Sequence, residues 1–274
     1  MRINVLIENS TQSELLCEHG LSFLIHFHDK VYLLDAGQTG AFIENARALN
    51  IDLSHVDKCI LSHGHYDHSD GFIRFLELYP HHQIWACDSV FDEYYSSSNN
   101  VMHYIGLSDE LQTHKEKFNL VSELTCIDEG VYLLPHHATK QTVNKNLYKK
   151  EHVDYIKDDF KHELSLIFCE NDELIVFNSC SHVGMASIRD DIKKHFPTCP
   201  VKAYFGGLHM KGKDNNQEIC VYSDEQIDYM SHIIKKENMI VYTGHCTGDI
   251  GYSRLSLLLD EHIQKLYSGL QIKL

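Results

Sequence analysis

Short apolar runs recur along the chain, and several stop at a polar residue capable of chemistry. Val31-Tyr32-Leu33-Leu34 stops at Asp35-Ala36-Gly37, and the run from Lys58 to Leu61 stops at Ser62-His63. Further on, Leu174 to Asn178 leads to Ser179-Cys180-Ser181-His182, Val201 to Phe205 to Gly206-Gly207-Leu208-His209, and Ile240 to Tyr242 to Thr243-Gly244-His245-Cys246. Apolar runs of this length, bounded by turn residues, predict buried strands. In layered α/β folds, functional groups gather at strand ends and in the loops that follow.

Met1 to Glu8 alternates as a strand does. Two hairpins are legible: Leu21 to Phe27 with Val31 to Leu34 about His28-Asp29-Lys30, and Glu163 to Cys169 with Leu174 to Phe177 about Glu170-Asn171-Asp172-Glu173. Helical spacing groups Phe42, Ile43, Ala46 and Leu49 after Gly40, and Phe72, Phe75 and Leu76 after Gly71. Ser223-Asp224-Glu225-Gln226 reads as a capping box, opening a helix with Ile227, Met230, Ile233 and Ile234 inward and Lys235 and Lys236 near its end. Leu255, Leu257, Leu258 and Leu259 predict a last, largely buried helix. The layout suggests two related halves facing one cleft.

Within this frame, His63-Gly64-His65-Tyr66-Asp67-His68 places three imidazoles and a carboxylate in six positions behind a buried strand. Alternation along an extended chain sends His63 and His65 to one side, and Gly64 lets the backbone turn tightly. Asp67 and His68 differ in parity, so the chain must bend at Ser69-Asp70-Gly71 for both to point inward. One loop thus offers ligands to two neighbouring ions. His81-His82 and His136-His137 have no carboxylate at ligand spacing and read as solvated pairs.

Composition narrows the classes. The 274 residues include 4 Pro and 15 Gly spread without a linker, so one domain over residues 1–274 is expected. No apolar stretch is long enough to span a bilayer, and the N-terminus lacks a signal-peptide pattern, which points to the cytoplasm. Nine Cys without a Cys-x-x-Cys argue against a disulfide framework and read mostly as small buried hydrophobes. A formal charge of −15 argues against broad binding to nucleic acid or an anionic membrane. A small basic island runs between Pro135 and His162, with Lys140, Lys145, Lys149, Lys150, Lys157 and Lys161, and is read as a solvated loop that could guide an anion inward. The sequence sets no oligomeric state.

His63-Gly64-His65-Tyr66-Asp67-His68 resembles the His-x-His-x-Asp-His signature of the metallo-β-lactamase superfamily, with Asp35, His182 and His245 in the expected order. Leu34 to Gln38, Ser62 to His68, Cys180-Ser181-His182, Gly206 to His209 and Gly244 to Gly248 together resemble one branch. It is named for the methanopterin-pathway ribofuranosylaminobenzene 5′-phosphate synthase and also written as dihydropteroate synthase-like. The resemblance implies an α/β fold, a four-layer αββα sandwich with a dinuclear metal site at one edge. It implies that His63, His65 and His182 hold one ion, that Asp67, His68 and His245 hold the other, and that Asp35 orients a ligand imidazole.

The chain departs from the pattern in two places. Where the superfamily has a bridging Asp, this chain offers Gly206-Gly207-Leu208-His209, so His209 could bind metal, contact substrate or donate a proton. Asp70 stands where the branch has Gly and is read as a helix cap. Cys246 follows His245 and, by strand alternation, is expected to point away from the site. Glu163 falls in a family motif with no assigned role.

Imidazole and carboxylate donors suit two divalent metal ions, Zn2+ first, with Mn2+, Fe or Ni2+ tolerated. The expected activity is a metal-dependent hydrolase using a metal-bound hydroxide on a small anionic molecule, a phosphate ester or phosphodiester, with Asp67 or His209 moving the proton. The alternatives are a synthase step on a phosphoribosyl compound, oxygen chemistry at iron, and a non-catalytic metal or metabolite sensor.

Overall fold

The computed structural model describes residues 1–99, 101–137, 146–215 and 217–274. Its contacts divide into two compact units. The first comprises Met1–Ser122, Lys145–Asp158 and Leu266–Leu274, and the second Glu123–Asn144 and Asp159–Lys265.

In the first unit, one seven-stranded sheet runs in the order Gln271–Lys273, Arg2–Ile7, Ser22–Phe27, Lys30–Leu34, Lys58–Ile60, Ile84–Cys87, Phe118–Val121. Pairing is antiparallel as far as Lys30–Leu34 and parallel beyond it. The parallel half needs crossovers, which the helices Ala41–Ala48 and Gly71–Leu78 supply. Their apolar stripes, Phe42, Ile43 and Ala46 with Phe72, Phe75 and Leu76, enter one buried cluster with Leu24, Leu33 and Cys59. Arg2–Ile7 departs from the expected alternation, because everything after Arg2 is buried in a strand paired on both edges.

A second sheet of this unit joins Asp154–Lys157, Leu147–Glu151, Tyr94–Ser98 and Val101–Tyr104. This corrects the loop reading of the basic island. Lys149 meets Glu151 at 3.2 Å, Lys150 meets Glu93 at 3.2 Å, and Lys157 lies over the Tyr148 ring at 3.7 Å. Lys140 and Lys145 lie outside the described residues.

The second unit has a sheet ordered Ile263–Lys265, Ile240–Thr243, Val201–Phe205, Glu173–Phe177, Leu164–Glu170, Val131–Pro135, Thr125–Asp128. Its hairpin turns on Asn171 and Asp172, both at positive φ, as a two-residue turn matched to strand twist requires. Phe177, Phe205 and Tyr242 pair across three parallel strands, with rings stacked at 4.6 and 4.5 Å. The register sets the following loops level with one another. Backbone bonds continue past the strand ends, from Asn178 N to Phe205 O at 2.9 Å and from Gly207 N to Ser179 O at 2.7 Å.

Helices Met185–His195, Asp224–Glu237 and Gly248–Leu259 complete this unit, and the capping box forms as expected between Ser223 and Gln226. The last helix is less buried than its leucines suggest. Leu255 and Leu259 face inward, but Leu257 is 83% exposed, because positions two apart on a helix lie on opposite sides. Among the described residues, no helix is long and apolar enough to cross a membrane.

Candidate metal centre

In the first unit, the chain leaves Lys30–Leu34 at Asp35, which adopts φ 59°. Its fully buried carboxylate accepts Ser62 N at 2.7 Å on Oδ1, and Ser62 Oγ at 2.7 Å and His68 Nδ1 at 2.8 Å on Oδ2. A carboxylate that accepts at Nδ1 fixes the proton there, so His68 presents a bare Nε2. Ser62 has spent its proton on Asp35, so it accepts from His63 Nδ1 at 2.8 Å. His63 is therefore held in the same tautomer. One buried acid sets the orientation of two imidazoles.

Residues 63–65 do not run extended as expected. His65 N bonds back to His63 O at 3.0 Å, and helix Tyr66–Ser69 begins at once. The bend still gathers the rings, with centroids 4.6 Å apart for His63 and His65 and 4.2 Å for His63 and His68. Gly64 serves close approach: a Cβ there would lie 2.8 Å from Val90 O and 3.1 Å from the Tyr94 ring.

His68 Nε2 stands 3.7 Å from Asp67 Oδ2. Two ligands of one tetrahedral ion with bonds of about 2.0–2.1 Å sit about 3.4 Å apart, so the pair is close to coordination distance. His19, which sequence reasoning missed, approaches Asp67 Oδ2 at 3.2 Å from a half-exposed loop. Nothing in its spacing marked it. Asp70 does not cap the helix it precedes. Its Oδ1 instead accepts from Ser69 Oγ and Ser108 N, and burial raises its pKa despite those bonds.

In the second unit, Glu163 is the residue whose role the sequence left open. Its Oε1 accepts His182 N at 2.8 Å and its Oε2 accepts Val183 N at 3.0 Å, so one buried carboxylate carries the loop. Burial pushes its pKa up, against the pull of those two bonds and of the neighbouring imidazoles. Asn178 Oδ1 accepts Ser181 N at 2.7 Å, and Ser181 Oγ donates to Gly207 O at 2.7 Å. Phe160 stacks on the His182 ring at 5.1 Å, and His209 lies 4.3 Å away on centroids.

His209 Nδ1 is buried and meets no hydrogen-bond partner among the described residues. His245 begins a tight turn, His245–Thr247, at φ 48°. That turn overrides the alternation that set Cys246 aside. Ligand atoms of Cys180, His245 and Cys246 all lie within 4.8 Å of one another, as do those of Cys180, His182 and His209.

The remaining His pairs each split. His82 is buried against the Val56 and Tyr79 carbonyls at 2.9 and 3.1 Å, and His136 is buried between Asp191 at 3.1 Å and Ser165 at 2.8 Å. Both were expected in solvent, yet only His81 and His137 are exposed.

The donors fit divalent cations. His63, His65, Asp67 and His68 gather in the first unit. In the second, His182 lies with His209 and His245 with Cys246, while Cys180 neighbours both pairs. Asp35, Ser181, His209 and His245 all hold positive φ in the loops that follow their strands.

Residues 16–139, which contain Asp35 and the 63–68 loop, match the family profile of the Metallo-beta-lactamase superfamily. A solved structure, a metal-dependent hydrolase of the beta-lactamase superfamily, is 27% identical with a TM-score of 0.82, covering 100% of this chain and 99% of that one. The chain has the metallo-β-lactamase fold. The resemblance to the superfamily, carried by the 63–68 signature, agrees with both matches. Two similar proteins come from Methanocaldococcus jannaschii. One, uncharacterized, is 28% identical over 93% of this chain and 94% of its own length. The other is named 7,8-dihydropterin-6-methyl-4-(beta-D-ribofuranosyl)-aminobenzene-5'-phosphate synthase and is 27% identical over 93% of this chain and 90% of its own.

Proposed function

We propose that this metallo-β-lactamase-fold protein is a metal-dependent hydrolase acting on a small anionic molecule, a phosphate ester or phosphodiester, in the cytoplasm. The observation that carries the reading is His68, oriented by Asp35 with Nε2 toward Asp67 and beside His63 and His65. In this reading His63, His65, Asp67 and His68 hold two divalent ions, Zn2+ first and Mn2+, Fe or Ni2+ as alternatives, and motif order adds His182 and His245. When bound, such ions lower the pKa of water toward neutrality and polarise a phosphoryl oxygen.

The chain's own groups do the rest. Asp35 and Ser62 keep the His68 and His63 protons on Nδ1, so both Nε2 atoms stay available without reorganisation. In this reading Asp67 accepts a proton from the attacking side, and His209, whose Nδ1 is buried, serves the leaving group. Glu163 holds the His182 loop still while charge develops. The test is turnover by zinc- or manganese-loaded protein on phosphomonoesters, phosphodiesters, thioesters and lactams. Hydrolysis confined to phosphate compounds supports the reading, and an untouched panel contradicts it.

The second reading is a non-hydrolytic synthase, favoured by the relative that bears that name. Product analysis separates the two, because a synthase joins two substrates without consuming water.

A further inference from the structure

The second unit contains more candidate ligands than the motifs supply. Within this unit, Cys180 Sγ lies within 4.8 Å of ligand atoms from four side chains, His182 and His209 in one triad and His245 and Cys246 in the other. Cys180 is 3% exposed and Cys246 8% exposed, and neither is in a disulfide. Ligand atoms on one tetrahedral zinc are about 3.4–3.8 Å apart, so small side-chain movements bring either triad to coordination distance. Three independent loops converge here, after Glu173–Phe177, Val201–Phe205 and Ile240–Thr243, and the stacked Phe177, Phe205 and Tyr242 fix their level.

Charge decides which of these groups is needed. Neither triad includes a carboxylate, and the strand end where the superfamily pattern has a bridging Asp carries His209. Among the described residues, Glu163 is the buried carboxylate of this unit, and both of its oxygens are committed to His182 N and Val183 N. A dication held by neutral imidazoles alone keeps its full charge in a dry site, which is costly. A thiol coordinated to a metal gives up its proton and supplies the missing anion.

We infer that Cys180 is a metal ligand of this centre, binding a zinc-type ion through a thiolate Sγ in place of the absent bridging carboxylate. On binding, the Cys180 S–H bond breaks, its electron pair forms the metal–sulfur bond, and the proton passes to solvent. Cys246 Sγ is directed instead to Cys180 O at 3.6 Å. The inference rests on the metal reading above and adds a ligand to it.

The test is zinc-edge X-ray absorption on the zinc-loaded full chain, on Cys180→Ser and on Cys246→Ser, with circular dichroism to report folding. A sulfur neighbour at about 2.3 Å, distinct from nitrogen and oxygen at about 2.0–2.1 Å, is expected in the parent protein and in Cys246→Ser. It should be lost in folded Cys180→Ser. Should Cys180→Ser fail to fold, retention of sulfur in Cys246→Ser still supports the inference. Bound zinc with only nitrogen and oxygen neighbours overturns it and leaves the hydrolase reading standing. Loss of sulfur in Cys246→Ser, or its retention in folded Cys180→Ser, also overturns it. Sulfur-ligated zinc without phosphate hydrolysis sinks the hydrolase reading alone.

Discussion

Glu163 holds His182 by the backbone: Oε1 accepts the His182 N–H at 2.8 Å while Oε2 takes the next N–H, at Val183, at 3.0 Å. Two charge-assisted bonds to consecutive amides fix both the position and the tilt of the loop. Glu163→Gln keeps the volume but turns one acceptor into an NH2 facing an N–H. Metal affinity, measured by competition with a chromophoric chelator, should fall about 10–100-fold with the fold intact. Unchanged affinity contradicts a positioning role.

Asp35 acts on His68 by a different route, through the ring itself. Asp35→Asn can present an NH2 to His68 Nδ1, moving the proton to Nε2 and blocking it as a ligand. Activity and metal affinity should each drop about 10–100-fold, and two-dimensional NMR of the imidazole nitrogens should show the changed tautomer. A variant with normal tautomer and normal activity would contradict that role for Asp35.

Gly71 tests how tightly the two metal-side loops are joined. A Cβ there would run into the carbonyl oxygens of Ala36 and Thr39, backbone that cannot swing aside. The neighbouring bond from Ala36 N to His68 O, at 2.8 Å, ties the Asp35 turn to the histidine loop. Gly71→Ala should destabilise by about 2–3 kcal/mol in urea unfolding. A loss under about 0.5 kcal/mol, the level of ordinary surface changes, would show that the contact relaxes freely.

Stability in acid follows from Asp191. Burial raises its pKa, but hydrogen bonds from His136 and Lys194 outweigh that and hold it at about 2, below the ordinary 3.8. A depressed carboxylate stabilises the fold above the ordinary value, and the gain is lost as pH falls through the folded one. Screening by solvent at this partly exposed pair leaves a contribution of about 1 kcal/mol. Asp191→Asn should therefore unfold more easily at neutral pH and converge with the parent near pH 2, as thermal melts across that range would show. A constant difference at every pH contradicts the linkage.

Much of this was legible in the residues, because pattern and physics agreed there. The five strand ends, both hairpins and the Ser223–Gln226 capping box appear where periodicity and turn chemistry put them, whereas the 63–68 loop bends earlier than its alternation predicts. The misses have physical causes. The strands Tyr94–Ser98 and Leu147–Glu151 are polar, Ser- and Lys-rich, and gain their order from pairing with each other. Glu163 and Asn178 look like ordinary strand-edge polar residues until the chain folds and their side chains meet Ser181 to Val183. Cys246 was set aside by strand alternation, but positive φ at His245 breaks that alternation at once. Asp70 sits at a cap position, yet its carboxylate turns to Ser108, a partner 38 residues away.

The central claim is a buried set of imidazoles and carboxylate that binds a pair of divalent ions. Its most direct test is metal stoichiometry by inductively coupled plasma mass spectrometry on protein reconstituted with zinc and freed of excess metal. Two ions per chain are expected, falling to one or none in His68→Ala. A parent chain that retains no stoichiometric divalent metal after reconstitution would contradict the account.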